Sequence, residues 1–339
     1  MDEAGNVMLS PRLRECPDPL FRGLSMALRK TYFPLGMVVE VQSNHDAIIH
    51  AADQSFSLYG KPPSDLEPSL VFSFGVDLEA GHQPLKNWPQ PQYRALQHLF
   101  HISCGDQNFA TADLKTSTVM GFISKEMALD PAFFCPAFLE CLFYVLAVHN
   151  RFTPVHCSCV AWKNEGILIC GMSGAGKSTL AYACGRARMP IVSDDVAHLA
   201  LEGKSGGLQV WGKPWTLHLT PDTTTFFSEL ESIQPTNWHG NESYLNVDVL
   251  KYCRGGICLQ ARPALLLFLQ RNPNVQCELS RLSAEAVVKQ LRKDIVLDTE
   301  TVVERHDVLL GELARLPAYR LEYSGHPSSV TEIIKTIIH

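Results

Sequence analysis

The chain has 339 residues, 46% of them apolar and 19% charged, with a formal net charge of −6. That length is ample for two domains with separate cores, and the composition is that of an ordinary globular protein. The acidic balance and the lack of any run rich in lysine and arginine argue against a nucleic-acid partner.

The start of the chain, Met1 to Asn6, lacks the basic residues and apolar core of a secretion signal, so a cytoplasmic protein is expected. The eleven cysteines then read as reduced thiols, and Cys157-x-Cys159 and Cys253-x4-Cys258 fit no paired zinc pattern. Residues 1–135 read as a mixed α+β module. Strands are predicted over 36–41, 70–74 and 99–103, a helix over 47–58 capped by Asp46, and loops over 61–63 and 81–91. His45, His50, His98 and His101 stand singly and suggest no ligand set. The most apolar stretch, 133–148, is interrupted by Pro136 and Glu140 and is shorter than a bilayer requires. It is read as a buried helix over 136–148 that opens a second domain, 136–339, and no membrane association is expected.

In that domain 155–162 reads as a strand, Lys163 to Gly166 as a tight turn, and 167–170 as a second strand. Directly after it comes Gly171-Met-Ser-Gly-Ala-Gly-Lys-Ser178, which satisfies G-x-x-x-x-G-K-[ST] between a strand and a helix over 177–186. This is the pattern of a phosphate-binding loop. Gly171, Ser173, Gly174, Ala175, Gly176, Lys177, Ser178 and Thr179 are the expected nucleotide contacts. Backbone N–H groups and the helix end cradle the phosphates, Lys177 reaches the terminal ones, and the Ser178 hydroxyl ligates Mg²⁺.

A short strand, 191–193, runs into Asp194 and Asp195. Strand carboxyl ends line the ligand crevice in such sheets, so one aspartate can handle an acceptor's proton while the other reaches the metal. Adjacent residues of a strand project to opposite sides, which divides the two roles. His156 precedes Gly171 by 15 residues (171 − 156) and is placed on the outer strand of the hairpin, near the same crevice.

Further on, 208–211 and 216–219 read as antiparallel strands around Gly212-Lys-Pro214, and 221–256 as a long polar, mobile segment. A fully buried strand is predicted over 264–269 and a helix capped by Ser283 over 284–293. A helix over 299–313, a strand over 319–323 and a last helix capped by Ser329 complete the chain. Ser205-Gly-Gly-Leu-Gln209 superficially matches the signature of ABC-type ATPases, but it lies only 27 residues after Ser178 (205 − 178) and reads as a hairpin turn. No Asn-Lys-x-Asp guanine reader is present, which disfavours a GTPase.

His156, the Gly171–Ser178 loop and Ser193-Asp-Asp195 together resemble the C-terminal catalytic domain of the HPr kinase/phosphorylase family. The histidine lies at the same distance before the loop, and the aspartate pair begins 17 residues after the loop lysine (194 − 177). The resemblance implies an α/β P-loop kinase domain of the HPr kinase and phosphoenolpyruvate carboxykinase type, beside a separate N-terminal α+β domain. It implies an ATP-dependent, Mg²⁺-dependent kinase acting on a hydroxyl, a serine in that family's protein substrate. The resemblance carries Lys177 and Ser178 over to phosphate and Mg²⁺, Asp194 to the acceptor's proton and His156 to the catalytic centre; with the two aspartates dividing the work, Asp195 is expected to join Ser178 on the metal and His156 to assist Asp194. Thr179 stands where the bifunctional family has glutamate, and residues 1–150 do not resemble its N-terminal domain. The acceptor is thus a protein, a peptide or a small molecule, and a nucleotide-binding regulatory module without transferase activity is the alternative. The oligomeric state is left open, a homo-oligomer among the options. A basic residue completing the phosphate clamp is expected, with Lys251, Arg254 and Arg262 equally eligible.

Overall fold

Residues 24–77, 87–202, 207–238, 242–295 and 302–338 are described by a computed structural model of the chain. It divides into two units at 147/148, whereas the sequence suggested a boundary at 135/136. Both units are mixed α/β.

The first unit is a seven-stranded mixed sheet. Its strands are β1 (Leu28–Tyr32), β2 (Val39–Ser43), β3 (Leu70–Asp77), β4 (Gln92–Leu96), β5 (Leu99–Cys104), β6 (Asn108–Asp113) and β7 (Thr118–Ser124), in the order β1-β2-β3-β7-β6-β5-β4. β2, β3 and β7 are parallel, and β7 to β4 run back as an antiparallel meander. Alternation places Phe72 and Phe74 on the inner face, each worth roughly 2–3 kcal/mol when buried. Helix α1 (Asp46–Phe56) is capped by the His45 ring, which accepts from the Ala47 N–H at 3.1 Å, and not by Asp46.

Helix α2 (Pro131–Asn150) corrects the reading of the apolar stretch. It is a continuous helical run of 20 residues, long and apolar enough to cross a bilayer, with 56% of its most apolar window buried in the fold. Pro136, expected to limit it, sits in a stretch of π-helix, Cys135–Glu140, whose wider turns accommodate the ring. Phe134 packs edge-on to Phe74 at 5.3 Å and Phe143 lies 5.4 Å from Phe56, so this face is core.

The second unit holds a nine-stranded mixed sheet. Its strands are β8 (Thr153–Val155), β9 (Ser158–Trp162), β10 (Glu165–Cys170), β11 (Ile191–Ser193), β12 (Ala197–Glu202) and β13 (Gly207–Trp211). Beyond the small sheet described next, β17 (Gln260–Arg271), β18 (Cys277–Arg281) and β19 (Ala318–Tyr323) complete it. A separate three-stranded sheet contains β14 (Thr216–Leu219), β15 (Thr236–Trp238) and β16 (Glu242–Asp248). The large sheet runs β11-β9-β10-β17-β13-β12-β8, and the far half of the twelve-residue β17 pairs with β19. Among the described residues the longer helices are α3 (Lys177–Arg186), α4 (Ala284–Asp294), α5 (Val303–Leu313) and α6 (Thr331–Ile337).

Several expectations need correction here. The 155–162 strand is broken at His156 and Cys157, because β8 pairs with β12 while β9 pairs with β10. β13 and β14 do not pair with each other: β13 joins the large sheet and β14 the small one. The segment expected to be mobile, 221–256, is built into the fold where it is described, with Phe227, Leu230, Leu245, Val247 and Val249 buried against α3 and β17 residues. Ser329 does not cap α6, whose N-cap is Val330. The turn read at Ser205, the tip of the 221–256 segment at 239–241, the start of the 299–313 helix and the secretion-signal region lie outside the described residues.

His198 of β12 is buried edge-on to Phe152, and burial pushes its pKa down to about 4. The folded chain therefore keeps this ring neutral, while an unfolded one protonates it near pH 6.5. Between pH 6.5 and about 4 stability falls as the pH drops, by up to about 3 kcal/mol, and levels off below. Urea unfolding at pH 7 and pH 5 should show that slope, and His198→Phe should remove its share.

Candidate active site

β10, β17 and β19 are parallel, and β11, antiparallel to β9, shares their direction. Four strand carboxyl ends therefore meet at one edge of the sheet. Residues 171–176 leave β10 at this edge and lead into α3. Gly171 has φ +146° and an added Cβ would stand 3.0 Å from Leu269 O, so only glycine lets the chain turn this tightly over β17. Gly176, at φ +92°, makes the left-handed step into the helix. Lys177 is buried, and its Nζ donates to Gly171 O at 2.9 Å and Met172 O at 3.4 Å, folding the side chain back over the loop.

A cavity of about 630 Å³ opens above the loop. His156, Ser173, Gly174, Gly176, Lys177, Ser178, Thr179, Asp194 and Asp195 line it. Gly171 and Ala175 do not: the first forms the base of the loop, and Ala175 packs on the hydrophobic core. Thr179 lies 3.2 Å from Thr223, hydroxyl to hydroxyl, which fixes its side chain at the wall.

The two aspartates do not alternate as strand residues would. β11 stops at Ser193, and Asp195 takes φ +66°, so both carboxylates reach the same cavity. Their surroundings differ sharply. Asp194 is 8% exposed; one oxygen accepts from the Ser158 hydroxyl at 2.7 Å, the other from the His218 N–H at 2.9 Å. The Asp195 side chain is 65% exposed, and its carboxylate lies 3.2 Å from His156 Nδ1. This His156 contact holds the Asp195 carboxyl below the usual range, with help from His218 and Lys177. The expected pairing of His156 with Asp194 is thus corrected: the imidazole pairs with Asp195. The strand break at His156 is the reason, since it releases the ring from the alternation of β9. The main chain of His156 is anchored separately, its N–H donating to Asp294 O at 2.6 Å.

None of Lys251, Arg254 and Arg262 reaches the cavity. Arg262 lies near the opposite end of β17 and pairs with Glu165 at 2.6 Å. Besides Lys177, the wall holds Arg271, accompanied by Tyr323, and His218 is a further member that the sequence reading missed. Arg271 was findable: it lies two residues past the predicted 264–269 strand, at the carboxyl end to which the aspartates had been assigned on their own strand.

No family model matches the chain, and no curated protein matches it. Among solved structures it is similar to the Hpr(Ser) kinase/phosphatase from Coxiella burnetii, with 16% identity over 55% of this chain and 87% of that chain and a TM-score of 0.31. The mixed α/β character of the chain rests on its own sheets and helices.

Proposed function

We propose that the protein is an ATP-dependent, Mg²⁺-dependent kinase that transfers the γ-phosphate to a hydroxyl, a serine of a protein or peptide. The observation that carries this reading is the convergence of Lys177, Ser178, Asp194 and the His156–Asp195 pair on one cavity. A glycine-turned loop at a helix start offers N–H groups to phosphate, and Lys177 can exchange its two carbonyl partners for phosphate oxygens. Asp194 and the Ser178 hydroxyl are the oxygen donors suited to the metal. Mg²⁺, when bound, supplies neutralisation of the charge that builds on the transferred group.

Asp195 is the carboxylate with room to meet an acceptor. It orients the incoming hydroxyl and takes its proton late in transfer, which suits a carboxylate kept ionised at neutral pH. His156 steadies that carboxylate through Nδ1, and the carboxyl, its side chain 65% exposed, passes the proton on to solvent. Thus the aspartate roles are exchanged relative to the sequence expectation, because Asp194 is buried and fixed in orientation by two donors while Asp195 is exposed.

The deciding experiment incubates the full chain with γ-labelled ATP, Mg²⁺ and a cell lysate, then identifies the labelled species. A labelled protein or peptide supports the reading, and a labelled metabolite moves the acceptor to a small molecule. ATP binding with no labelled product would favour the regulatory alternative.

A further inference from the structure

A second cluster at the same sheet edge has no part in that mechanism. The Arg271 guanidinium lies beside two rings, 4.3 Å from the centre of Tyr323 and 5.6 Å from that of Phe226. Its Nη1 donates to Gly325 O at 3.2 Å. The other edge, Nε with Nη2, has no hydrogen-bond partner among the described residues, and no described carboxylate pairs with the side chain. That free edge faces the loop: a Cβ added to Gly176 would stand 3.5 Å from both nitrogens and 3.8 Å from the Tyr323 hydroxyl. Tyr323 is fully buried in the cavity wall, yet its hydroxyl has no partner among the described residues. Leaving the buried Tyr323 hydroxyl unmatched is unfavourable unless a ligand completes it, and the free Arg271 edge beside it offers that ligand a charged partner.

We propose that Arg271 and Tyr323 form an oxyanion subsite that grips a phosphate group of the bound nucleotide, an inference that rests on the loop binding a polyphosphate. The strand order puts this subsite on the β17 and β19 side of the loop, with His156 and Asp195 on the β9 and β11 side. The guanidinium lies 4.3 Å from the Tyr323 ring centre, a contact that steadies its plane beside the loop. Its remaining edge is the two-pronged one that matches two oxygens of a phosphate. Gly176 serves this contact too, since any side chain there would stand between the fork and the loop.

Calorimetric titration of the full chain with Mg·ADP and with tripolyphosphate, in wild type, Arg271→Lys and Tyr323→Phe, tests the subsite. Arg271→Lys keeps the charge but loses the fork, and should weaken both ligands by roughly 10- to 30-fold. Tyr323→Phe keeps the ring and should cost roughly 3- to 10-fold for both. Unchanged affinities would reduce Arg271 to a brace for the Gly325 turn, and a loss confined to Mg·ADP would mean that it reads the nucleoside; either result overturns the proposal. Should Lys177→Ala abolish binding while Arg271→Lys does not, the subsite falls and the loop reading stands. Should wild type bind neither ligand, the loop reading falls and the subsite with it. Circular dichroism melts of each variant guard against a folding defect.

Discussion

Lys177→Ala should reduce phosphoryl transfer by roughly 10²- to 10³-fold and weaken nucleotide binding in parallel. The side chain is buried, and its ammonium reaches the Gly171 and Met172 carbonyls, so it can sit beside the phosphates without leaving the loop. The truncation has a second consequence, because it also removes the two bonds that draw the side chain over the loop. Lys177→Met restores the bulk without the charge and separates these effects. If both variants lose activity equally, the charge matters; if Met restores it, the loop shape does. Filter-binding with labelled nucleotide and a γ-phosphate transfer assay on the same preparations provide the two readouts. Transfer unchanged in both variants would remove the basis for the proposed function.

The second large effect is a division of labour between neighbouring aspartates. Asp195→Asn should slow transfer roughly 10²- to 10³-fold, with nucleotide affinity and the Mg²⁺ requirement unchanged, because in the proposed mechanism that exposed carboxylate takes the acceptor's proton. Asp194→Asn should instead raise the Mg²⁺ concentration needed for half-maximal transfer. The amide can still accept from the His218 N–H and donate to the Ser158 oxygen, whose hydroxyl is free to rotate, so the local structure should survive. A metal titration of kcat for the two variants distinguishes them. The opposite pattern, with Asp195→Asn nearly inert and Asp194→Asn inactive at saturating Mg²⁺, would restore the assignment that the sequence first suggested.

The site was legible where chemistry is bound to spacing. The Gly171–Ser178 pattern and the aspartate pair could be located because glycine, lysine and carboxylate are each demanded by what surrounds them in sequence. Their relative orientation was not legible. Whether His156 meets Asp194 or Asp195 depends on a break between β8 and β9 and on a left-handed Asp195, and neither leaves a mark in residue type. In the fold, β17 stood out by its unbroken apolar run. β4 did not, because all five of its residues are exposed and no alternation betrays it. The 221–256 segment misled through its polarity, although Leu245, Val247 and Val249 alternate along β16 and its end as a half-buried strand does.

The ribbon of β9 and β10 closes through a two-residue turn in which Lys163 and Asn164 both have positive φ, at 51° and 68°. The pairs run from Trp162 with Glu165 down to Ser158 with Ile169, and His156 and Gly171 continue from the open end. Length can be added to such a ribbon without a bulge only as one residue on each arm. A protein that inherits this geometry can therefore change the interval from imidazole to first glycine by two residues at a time, and parity becomes a criterion for recognising it.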